Sequence, residues 1–151
     1  FFDRLQQALA QGRRYSHTFA LLYVDLDHFK AVNDEMGHAA GDQLLIETSR
    51  RLLDAVRESD TVARLGGDEF AIILARVQGR HEVEEIAQRI VNDLDKPFKL
   101  DAGVAKVSGS IGIALFPQAG EDADRLTHNA DRALYEAKGS GRNTYRFHTP
   151  V

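Results

Sequence analysis

The sequence predicts an α+β fold, in which amphipathic helices pack on an antiparallel sheet. Apolar runs of strand length, such as residues 18–24 and 70–75, alternate with segments whose apolar residues recur at helical spacing. Two strand-like segments are joined through Gly66-Gly67, which predicts a β-hairpin because glycine adopts the positive φ angles of a tight turn. The 151 residues contain no linker, repeat or low-complexity segment, so we expect a single domain over residues 1–151.

Helices are predicted where apolar residues share one face. Phe2, Leu5 and Leu9 predict a first helix that ends near Gly12. The other predicted helices are a short turn at about 28–33 with Gly37 as its cap, a helix at about 40–56 with Gly41 at a close backbone approach, a helix at 83–94 ended by Pro97, and a last helix at 123–137 ended by Gly139.

Strands are predicted at about 18–24, 60–63, 70–75 and 144–148. A hairpin loop at Asp101-Ala102-Gly103 is predicted between a short strand and a long strand at about 105–116. The order β-α-β-β-α-β, with an added β-hairpin and an extra helix, is the ferredoxin-like arrangement. We expect its antiparallel sheet to carry the helices on one face.

Two carboxylates, Asp68 and Glu69, follow the Gly-Gly of the predicted hairpin. The next segment is apolar on both faces, which is typical of a central, buried strand. The acids would therefore lie at the tip of a stiff hairpin, on a turn that no side chain blocks. The alternative is an acidic turn that only faces solvent.

Composition excludes several classes of function. The chain has no cysteine, so disulfides, thiolate catalysis and Cys-based zinc sites are ruled out. Its net charge of −4 argues against binding to duplex nucleic acid. No apolar segment approaches the ~20 residues of a membrane span and no signal peptide is visible, so we expect a cytoplasmic domain without membrane contact.

Asp25 directly follows the first strand, and in a ferredoxin-like sheet that position can neighbour the tip that carries Asp68 and Glu69. Two carboxylates ~4 Å apart repel by about 4 kcal/mol at an effective dielectric of 20, unless a cation lies between them. Oxygen ligands favour Mg²⁺, which is the pattern of a nucleotide-dependent phosphoryl-transfer site. The alternative is a set of separate, solvated acids.

Cationic ligands for phosphate must come from outside a P-loop, because the sequence contains no G-x-x-x-x-G-K-[ST] motif. Lys138 and Arg142 follow the last helix next to Gly139 and Gly141, and Lys30 lies near the first acidic cluster. The alternative is that a basic residue at a helix end only complements the helix dipole.

Five blocks of sequence, in order and across nearly the whole chain, resemble the GGDEF family of diguanylate cyclases. They are Asp25-Leu26-Asp27-His28-Phe29-Lys30-Ala31-Val32-Asn33-Asp34, Gly37-His38, Gly41-Asp42, Gly66-Gly67-Asp68-Glu69-Phe70 and Ala137-Lys138-Gly139-Ser140-Gly141-Arg142-Asn143. The resemblance implies a fold of the nucleotidyl cyclase and polymerase-palm type. It also implies condensation of two GTP into cyclic di-GMP with release of two pyrophosphates, in a transient homodimer.

The resemblance assigns roles to individual residues. The implied ligands of Mg²⁺, or of Mn²⁺ in its place, are Asp25, the carbonyl of Leu26, Asp68 and Glu69. The implied catalytic residues are Glu69, which would help activate the ribose 3′-hydroxyl, together with Asp68, Lys30 and Arg64. The implied GTP-binding residues are Asn33 and Asp42 for guanine, Lys138 and Arg142 for the terminal phosphates, and Phe29, Lys30 and His38 around them.

Arg57-Glu58-Ser59-Asp60 matches the family's product-inhibition site, an Arg-x-x-Asp motif separated by five residues from the Gly-Gly. Arginine presents a planar donor fork to phosphate or guanine, and aspartate accepts hydrogen bonds from guanine. By itself the segment is equally a helix end followed by a turn.

Two features depart from the family pattern. The chain starts at Phe1, without the family's acidic and leucine-rich stretch, so we expect a domain excised from a longer protein with a sensory region. Lys96-Pro97-Phe98 and Phe147-His148-Thr149-Pro150 are similar to cyclases followed by an EAL phosphodiesterase domain. The alternatives to synthesis are therefore a GTP-binding domain that regulates such a phosphodiesterase, and a cyclic di-GMP receptor without turnover.

Overall fold

The computed structural model describes residues 1–149, so Pro150 of the closing segment lies outside the described residues. The described chain folds into five helices and seven strands. In order these are α1 (Phe2–Tyr15), β1 (Thr18–Asp27), α2 (Phe29–Met36), α3 (His38–Ala55), β2 (Thr61–Gly66), β3 (Glu69–Val77), α4 (Arg80–Leu94), β4 (Phe98–Leu100), β5 (Gly103–Ala105), β6 (Ser108–Phe116), α5 (Ala123–Gly139) and β7 (Tyr145–Phe147). No helix within residues 1–149 is both long enough and apolar enough to cross a membrane.

The main sheet has five strands in the order β2-β3-β1-β6-β7. Strand β1 lies in the centre and pairs antiparallel with both β3 and β6, while β2 pairs antiparallel with β3. The first four positions reproduce the ferredoxin-like order, and β7 adds a parallel strand at the edge beside β6. The predicted α+β, ferredoxin-like fold is confirmed, including the added hairpin, which is the separate β4–β5 pair.

Helices cover both faces of this sheet, so the prediction of helices on one face was wrong. Alternate residues of β1 enter two different apolar clusters. Leu22 and Val24 pack in the cluster that holds residues of α3 and α4, whereas Phe19 and Leu21 pack in the cluster that holds residues of α1 and α5. The reason is that β1 is apolar at both odd and even positions, and a strand with two apolar faces must be covered on both.

Two predicted boundaries differ from the structure. The first helix continues past Gly12 to Tyr15, because Gly12 marks a close approach: a Cβ there would lie 2.6 Å from Cε1 of Phe116. The predicted long strand at 105–116 is two strands, β5 and β6, which separate at Lys106 and Val107. The chain changes sheets at this point, since β5 pairs with β4 and β6 pairs with β1.

Helix α5 packs directly on the backbone of β6. A Cβ added to Gly112 would lie 2.2 Å from both the carbonyl oxygen of Ala130 and the amide nitrogen of Leu134. Only glycine allows this approach, which carries the C-terminal end of α5, with Lys138, to the end of the sheet where β1 finishes.

Replacing Gly112 by alanine should therefore destabilise the fold by about 3 kcal/mol or more, because the clash is with helix backbone rather than with a movable side chain. Urea unfolding monitored by circular dichroism measures the change. The control is Gly139→Ala at the end of α5, the helix that packs on Gly112, because a Cβ on Gly139 meets no heavy atom within 4 Å and helix propensity favours alanine. A Gly112→Ala protein as stable as the control would contradict this account of the packing.

Candidate functional site

The predicted acidic residues meet at one end of the central strands. Asp25, near the end of β1, lies opposite Glu69 in the β1–β3 register, and the amide of Leu26 donates to the carbonyl of Asp68 at 3.2 Å. The turn itself is open: Gly66 and Gly67 have φ angles of 149° and 52°, and a Cβ on either would meet no heavy atom within 4 Å. The hairpin therefore presents Asp68 and Glu69 beside Asp25 with free space above the turn.

Asp25 is buried and only half satisfied. Its Oδ2 forms an ion pair with Nζ of Lys138, while Oδ1 is buried and has no hydrogen-bond partner among the described residues. Burial alone would lower the pKa of Lys138, but the hydrogen bond and charge of Asp25 outweigh it and raise that pKa. Burial, followed by the charge of Asp25, raises the pKa of Asp68 to about 6. The cluster is therefore short of positive charge.

The donor chemistry fits a small divalent cation. A buried carboxylate oxygen without a partner lies beside a second carboxylate whose charged form is disfavoured, and both are hard oxygen ligands. Within residues 1–149, no three side chains of His, Asp or Glu converge as a metal-binding group. For Asp25, Asp68 and Glu69 to share one cation, their side chains would therefore have to move closer together than in this ligand-free structure, with the backbone carbonyl of Leu26 as a further ligand.

Asp27 positions part of the site, and the sequence pattern did not identify this role. Its buried carboxylate accepts hydrogen bonds from Oγ of Ser108 at 2.6 Å, from Oγ of Ser110 at 2.8 Å and from the amide of Asn143 at 3.1 Å. The third bond ties the segment after α5, which contains Arg142, to β1. The available signal was the spacing in Asp25-Leu26-Asp27, which places both carboxylates on the same face of a strand.

The two predicted phosphate ligands both lie against these aspartates. Lys138 pairs with Asp25, and Nε of the half-exposed Arg142 lies 3.8 Å from Oδ1 of Asp27. Arg142 and Asn143 have left-handed φ angles of 63° and 50°, so the chain turns sharply here to bring Arg142 back toward β1. The structure thus brings the cations and the acids of the predicted site together.

Helix α2, whose first residues are predicted phosphate ligands, begins without a side-chain cap. His28 precedes the helix with a left-handed φ of 67° and makes no capping hydrogen bond, so the first N–H groups of α2, at Phe29 and Lys30, are not satisfied by a cap. Such N–H groups, together with the helix dipole, form an anion-binding site. Lys30 itself is exposed.

Asn33 and Asp42, the predicted guanine ligands, lie at the contact between α2 and α3. A Cβ on Gly41 would lie 1.8 Å from Oδ1 of Asn33 and 3.4 Å from Cζ of Phe29, so the predicted close approach at Gly41 is present. Asp42, the next residue, is exposed. His38 is the first residue of α3 and is also exposed.

Arg64 stabilises the hairpin tip, because its Nε donates to the carbonyl of Gly67 at 3.0 Å.

The predicted inhibitory residues lie at the other end of the same hairpin. Asp60 accepts from the amide of Arg57 at 2.9 Å and from the amide of Ala75, in β3, at 2.9 Å. The side chain of Arg57 borders two adjacent clefts of about 360 and 260 Å³. Asp60 is therefore a structural anchor as well as a candidate ligand.

The ferredoxin-like sheet carries paired carboxylates where β1 ends and β3 begins, with a lysine against them, which makes this end of the sheet a candidate site for a cation and a phosphate. Residues 1–144 match the sequence model of the family described as "Diguanylate cyclase, GGDEF domain", and the chain belongs to this family.

Similar proteins from Pseudomonas aeruginosa include the bifunctional diguanylate cyclase/cyclic di-GMP phosphodiesterase MucR and the diguanylate cyclase TpbB. MucR is 46% identical over 145 residues, which cover 96% of this chain and 21% of MucR. TpbB is 41% identical over 148 residues, which cover 97% of this chain and 34% of TpbB. The chain therefore spans about a fifth to a third of the length of these relatives.

Solved structures agree with the fold. The crystal structure of the GGDEF domain of TpbB is 39% identical, with a TM-score of 0.95 over 99% of this chain and 93% of that chain. The GGDEF domain of DgcB from Caulobacter crescentus, solved in complex with c-di-GMP, is 28% identical with a TM-score of 0.88 over 98% of this chain and 88% of that chain.

Replacing Asp68 by asparagine should stabilise the metal-free protein at neutral pH. The pKa of Asp68 is raised from 3.8 to about 6, so folding disfavours its charged form. The free energy of unfolding should therefore rise as the pH falls through about 6, and this gain should be complete below 3.8. At neutral pH, the free energy of unfolding of the uncharged variant should exceed that of the parent by roughly 1 kcal/mol, after a discount for solvent screening.

Urea unfolding in a chelating buffer, at neutral and at mildly acidic pH, measures this difference between variant and parent. The matched control is Asp34→Asn, which removes a charge from an exposed position of α2. A stability difference for Asp68→Asn that does not shrink on acidification would refute the raised pKa.

Proposed function

We propose that this chain is the catalytic domain of a diguanylate cyclase, which condenses two GTP into cyclic di-GMP and releases two pyrophosphates. The observation that carries the proposal is the buried Oδ1 of Asp25, which has no partner in residues 1–149 and lies beside Asp68 at an open hairpin tip. Membership of the GGDEF family and identities of about 40% to named diguanylate cyclases support it.

Asp25, Asp68, Glu69 and the carbonyl of Leu26 would hold Mg²⁺, or Mn²⁺ in its place. When bound, the cation would neutralise phosphate charge and orient the reacting oxygens. Lys138 neutralises Asp25 in the ligand-free chain. With a cation at Asp25, this lysine becomes available for the terminal phosphates of GTP.

The remaining residues surround the nucleotide. Asp42 would accept hydrogen bonds from the N–H groups of guanine, and the amide of Asn33 would also bind the base, with His38 nearby on α3. The N–H groups of Phe29 and Lys30 would bind phosphate at the start of α2. Arg142 joins Lys138 on the terminal phosphates.

At the reacting centre, Glu69 would help to remove the proton of the 3′-hydroxyl. Lys30 and Arg64 would stabilise charge at the α-phosphate. Arg64 must first release its hydrogen bond to the carbonyl of Gly67.

Synthesis requires two copies of the domain. One chain offers one hairpin tip and therefore one nucleotide, whereas the product contains two phosphodiester links between two nucleotides. Each 3′-oxygen must attack the α-phosphate held by the other copy, which requires a transient two-fold pairing.

Arg57 and Asp60 would form a second, inhibitory site for the product. The guanidinium of Arg57 is exposed beside the two clefts, and Asp60 retains free lone pairs after accepting two backbone N–H groups. A site of this kind would stop synthesis as cyclic di-GMP accumulates.

A second candidate function is a GTP-binding domain that regulates an attached EAL phosphodiesterase. The observation in its favour is that several relatives carry phosphodiesterase names, among them MucR and the cyclic di-GMP phosphodiesterase NbdA of Pseudomonas aeruginosa, which is 40% identical over 97% of this chain. Such a domain would bind GTP without joining two molecules.

Incubation with GTP and Mg²⁺, followed by mass spectrometry, should yield cyclic di-GMP and pyrophosphate. Product formation per molecule should rise with protein concentration because two copies must meet. Asp68→Ala should abolish it, while Asp54→Ala, which removes an exposed carboxylate paired with Arg50, should not. GTP that is bound but recovered intact would reject synthesis in favour of the regulatory candidate.

Base choice should depend on Asp42. Its replacement by alanine should reduce the preference for GTP over ATP by about 1–3 kcal/mol, the cost of losing the hydrogen bonds that its carboxylate would accept from guanine. Calorimetric titration of both nucleotides into both proteins measures the ratio, with Asp34→Ala as a control of equal charge on α2. An unchanged ratio would place guanine recognition elsewhere.

A further inference from the structure

An ion pair between Arg57 and Glu82 lies where the two clefts beside the hairpin meet. Nη2 of Arg57 donates to Oε1 of Glu82, and both residues line both clefts. Arg57 lies in the loop after α3, whereas Glu82 belongs to the first turn of α4. The pair therefore joins two elements at the surface where we place the product-binding residues.

The two partners are held very differently. Oε2 of Glu82 accepts the amide of Gln78 at 2.7 Å, so this carboxylate is fixed to the backbone before α4, and only 21% of its side chain is exposed. The side chain of Arg57 is 64% exposed, and its hydrogen bonds to other side chains among the described residues go to Glu82 alone. Glu82 is a fixed anion and Arg57 is a movable cation.

This arrangement competes with any ligand that needs the same guanidinium. An arginine grips phosphate or guanine through adjacent donors of one planar fork, and Nη2 is one of them. Asp60 does not restrain the side chain of Arg57, since it accepts only the backbone amide of that residue. A ligand that binds through Nη2 and a neighbouring donor therefore competes with Glu82 for the guanidinium.

We propose that Glu82 sets the affinity of the product-inhibition site by holding Arg57 in this competing ion pair. The proposal rests on the proposed role of Arg57 and Asp60 as ligands of cyclic di-GMP. Product would compete with Glu82 for the guanidinium, so a stronger ion pair would raise the product concentration at which synthesis stops.

Glu82→Gln tests the proposal, because glutamine keeps an acceptor oxygen for the amide of Gln78 but removes the charge that holds Arg57. Calorimetric titration of cyclic di-GMP should give an affinity about two- to fivefold higher than that of the parent chain, the range of an exposed ion pair. The difference should shrink at about 1 M ionic strength, where charges are screened beyond roughly 3 Å. Thermal unfolding checks that the variant remains folded.

Glu85→Gln is the matched control. Glu85 lies three residues after Glu82 on α4 and also lines the smaller of the two clefts. It pairs with His81 rather than with Arg57. This variant removes an equal charge, so a general change of electrostatic potential would raise affinity as much in Glu85→Gln as in Glu82→Gln. Equal gains in the two variants, or a loss of affinity in Glu82→Gln, would overturn the proposal.

A double-mutant cycle with Arg57→Ala separates this proposal from the function on which it rests. If Glu82 acts through Arg57, Glu82→Gln should have no effect in the Arg57→Ala background. A gain that persists there overturns the role of Glu82 alone. An Arg57→Ala chain that binds cyclic di-GMP as tightly as the parent overturns the inhibitory site itself, and the role of Glu82 with it.

Discussion

The buried charge of Asp25 is the constraint on which the rest of the site depends. The carboxylate lies near the end of the central strand, between β3 and β6, where water cannot solvate it fully. Breaking a buried ion pair is costly because one charge is left unpaired, so Lys138 must reach Asp25 in the ligand-free chain. That requirement fixes where α5 ends, and the close packing of α5 on Gly112 places it there. The packing of one helix thus determines the electrostatics of the site.

Two aspartates on one face of β1 illustrate how neighbouring residues are divided between folding and function. Asp27 is saturated by two hydroxyl groups and one amide, so its charge is stabilised by neutral donors that cannot leave. Asp25 has one mobile lysine and one oxygen without a partner in the described chain. A carboxylate of the first kind holds a loop in place. A carboxylate of the second kind is available to a cation, and polar groups left in this state are typical of functional sites.

Much of the fold could be predicted because it depends on local pattern. Apolar spacing identified the helices, and Gly66-Gly67 identified the hairpin, since both signals lie within a few residues of one another. The structural role of Gly12 could not be predicted from local pattern, because a glycine that ends a helix and a glycine that packs against a distant ring look alike in sequence. The ring that Gly12 packs against belongs to Phe116, which is distant from Gly12 in sequence.

The candidate site shows the same limit. The family motif identified Asp25, Asp68, Glu69 and Lys138, and the structure brings these four together. The bonds of Asp27 to Ser108 and Ser110 span 81 and 83 residues, and no local pattern predicts contacts of that separation. The pairing of Arg57 with Glu82 spans 25 residues and depends on how α4 packs beside the loop after α3. The sequence therefore identified the candidate ligand-binding residues better than the residues that hold them in place.

Both proposed sites belong to one hairpin, which limits how they can influence each other. Asp60 binds the amide of Ala75 at the open end of the β2–β3 hairpin, whereas Asp68 lies at its tip. Seven residues of extended strand separate Ala75 from Asp68, which corresponds to about 23 Å. Strand β3 is central and buried, so bending it would disturb both apolar clusters of the core. Coupling between sites requires an element with two arrangements, and a close-packed strand is a poor one. Product bound at Arg57 would therefore act more readily on the pairing of two domains than on the geometry of the acids within one.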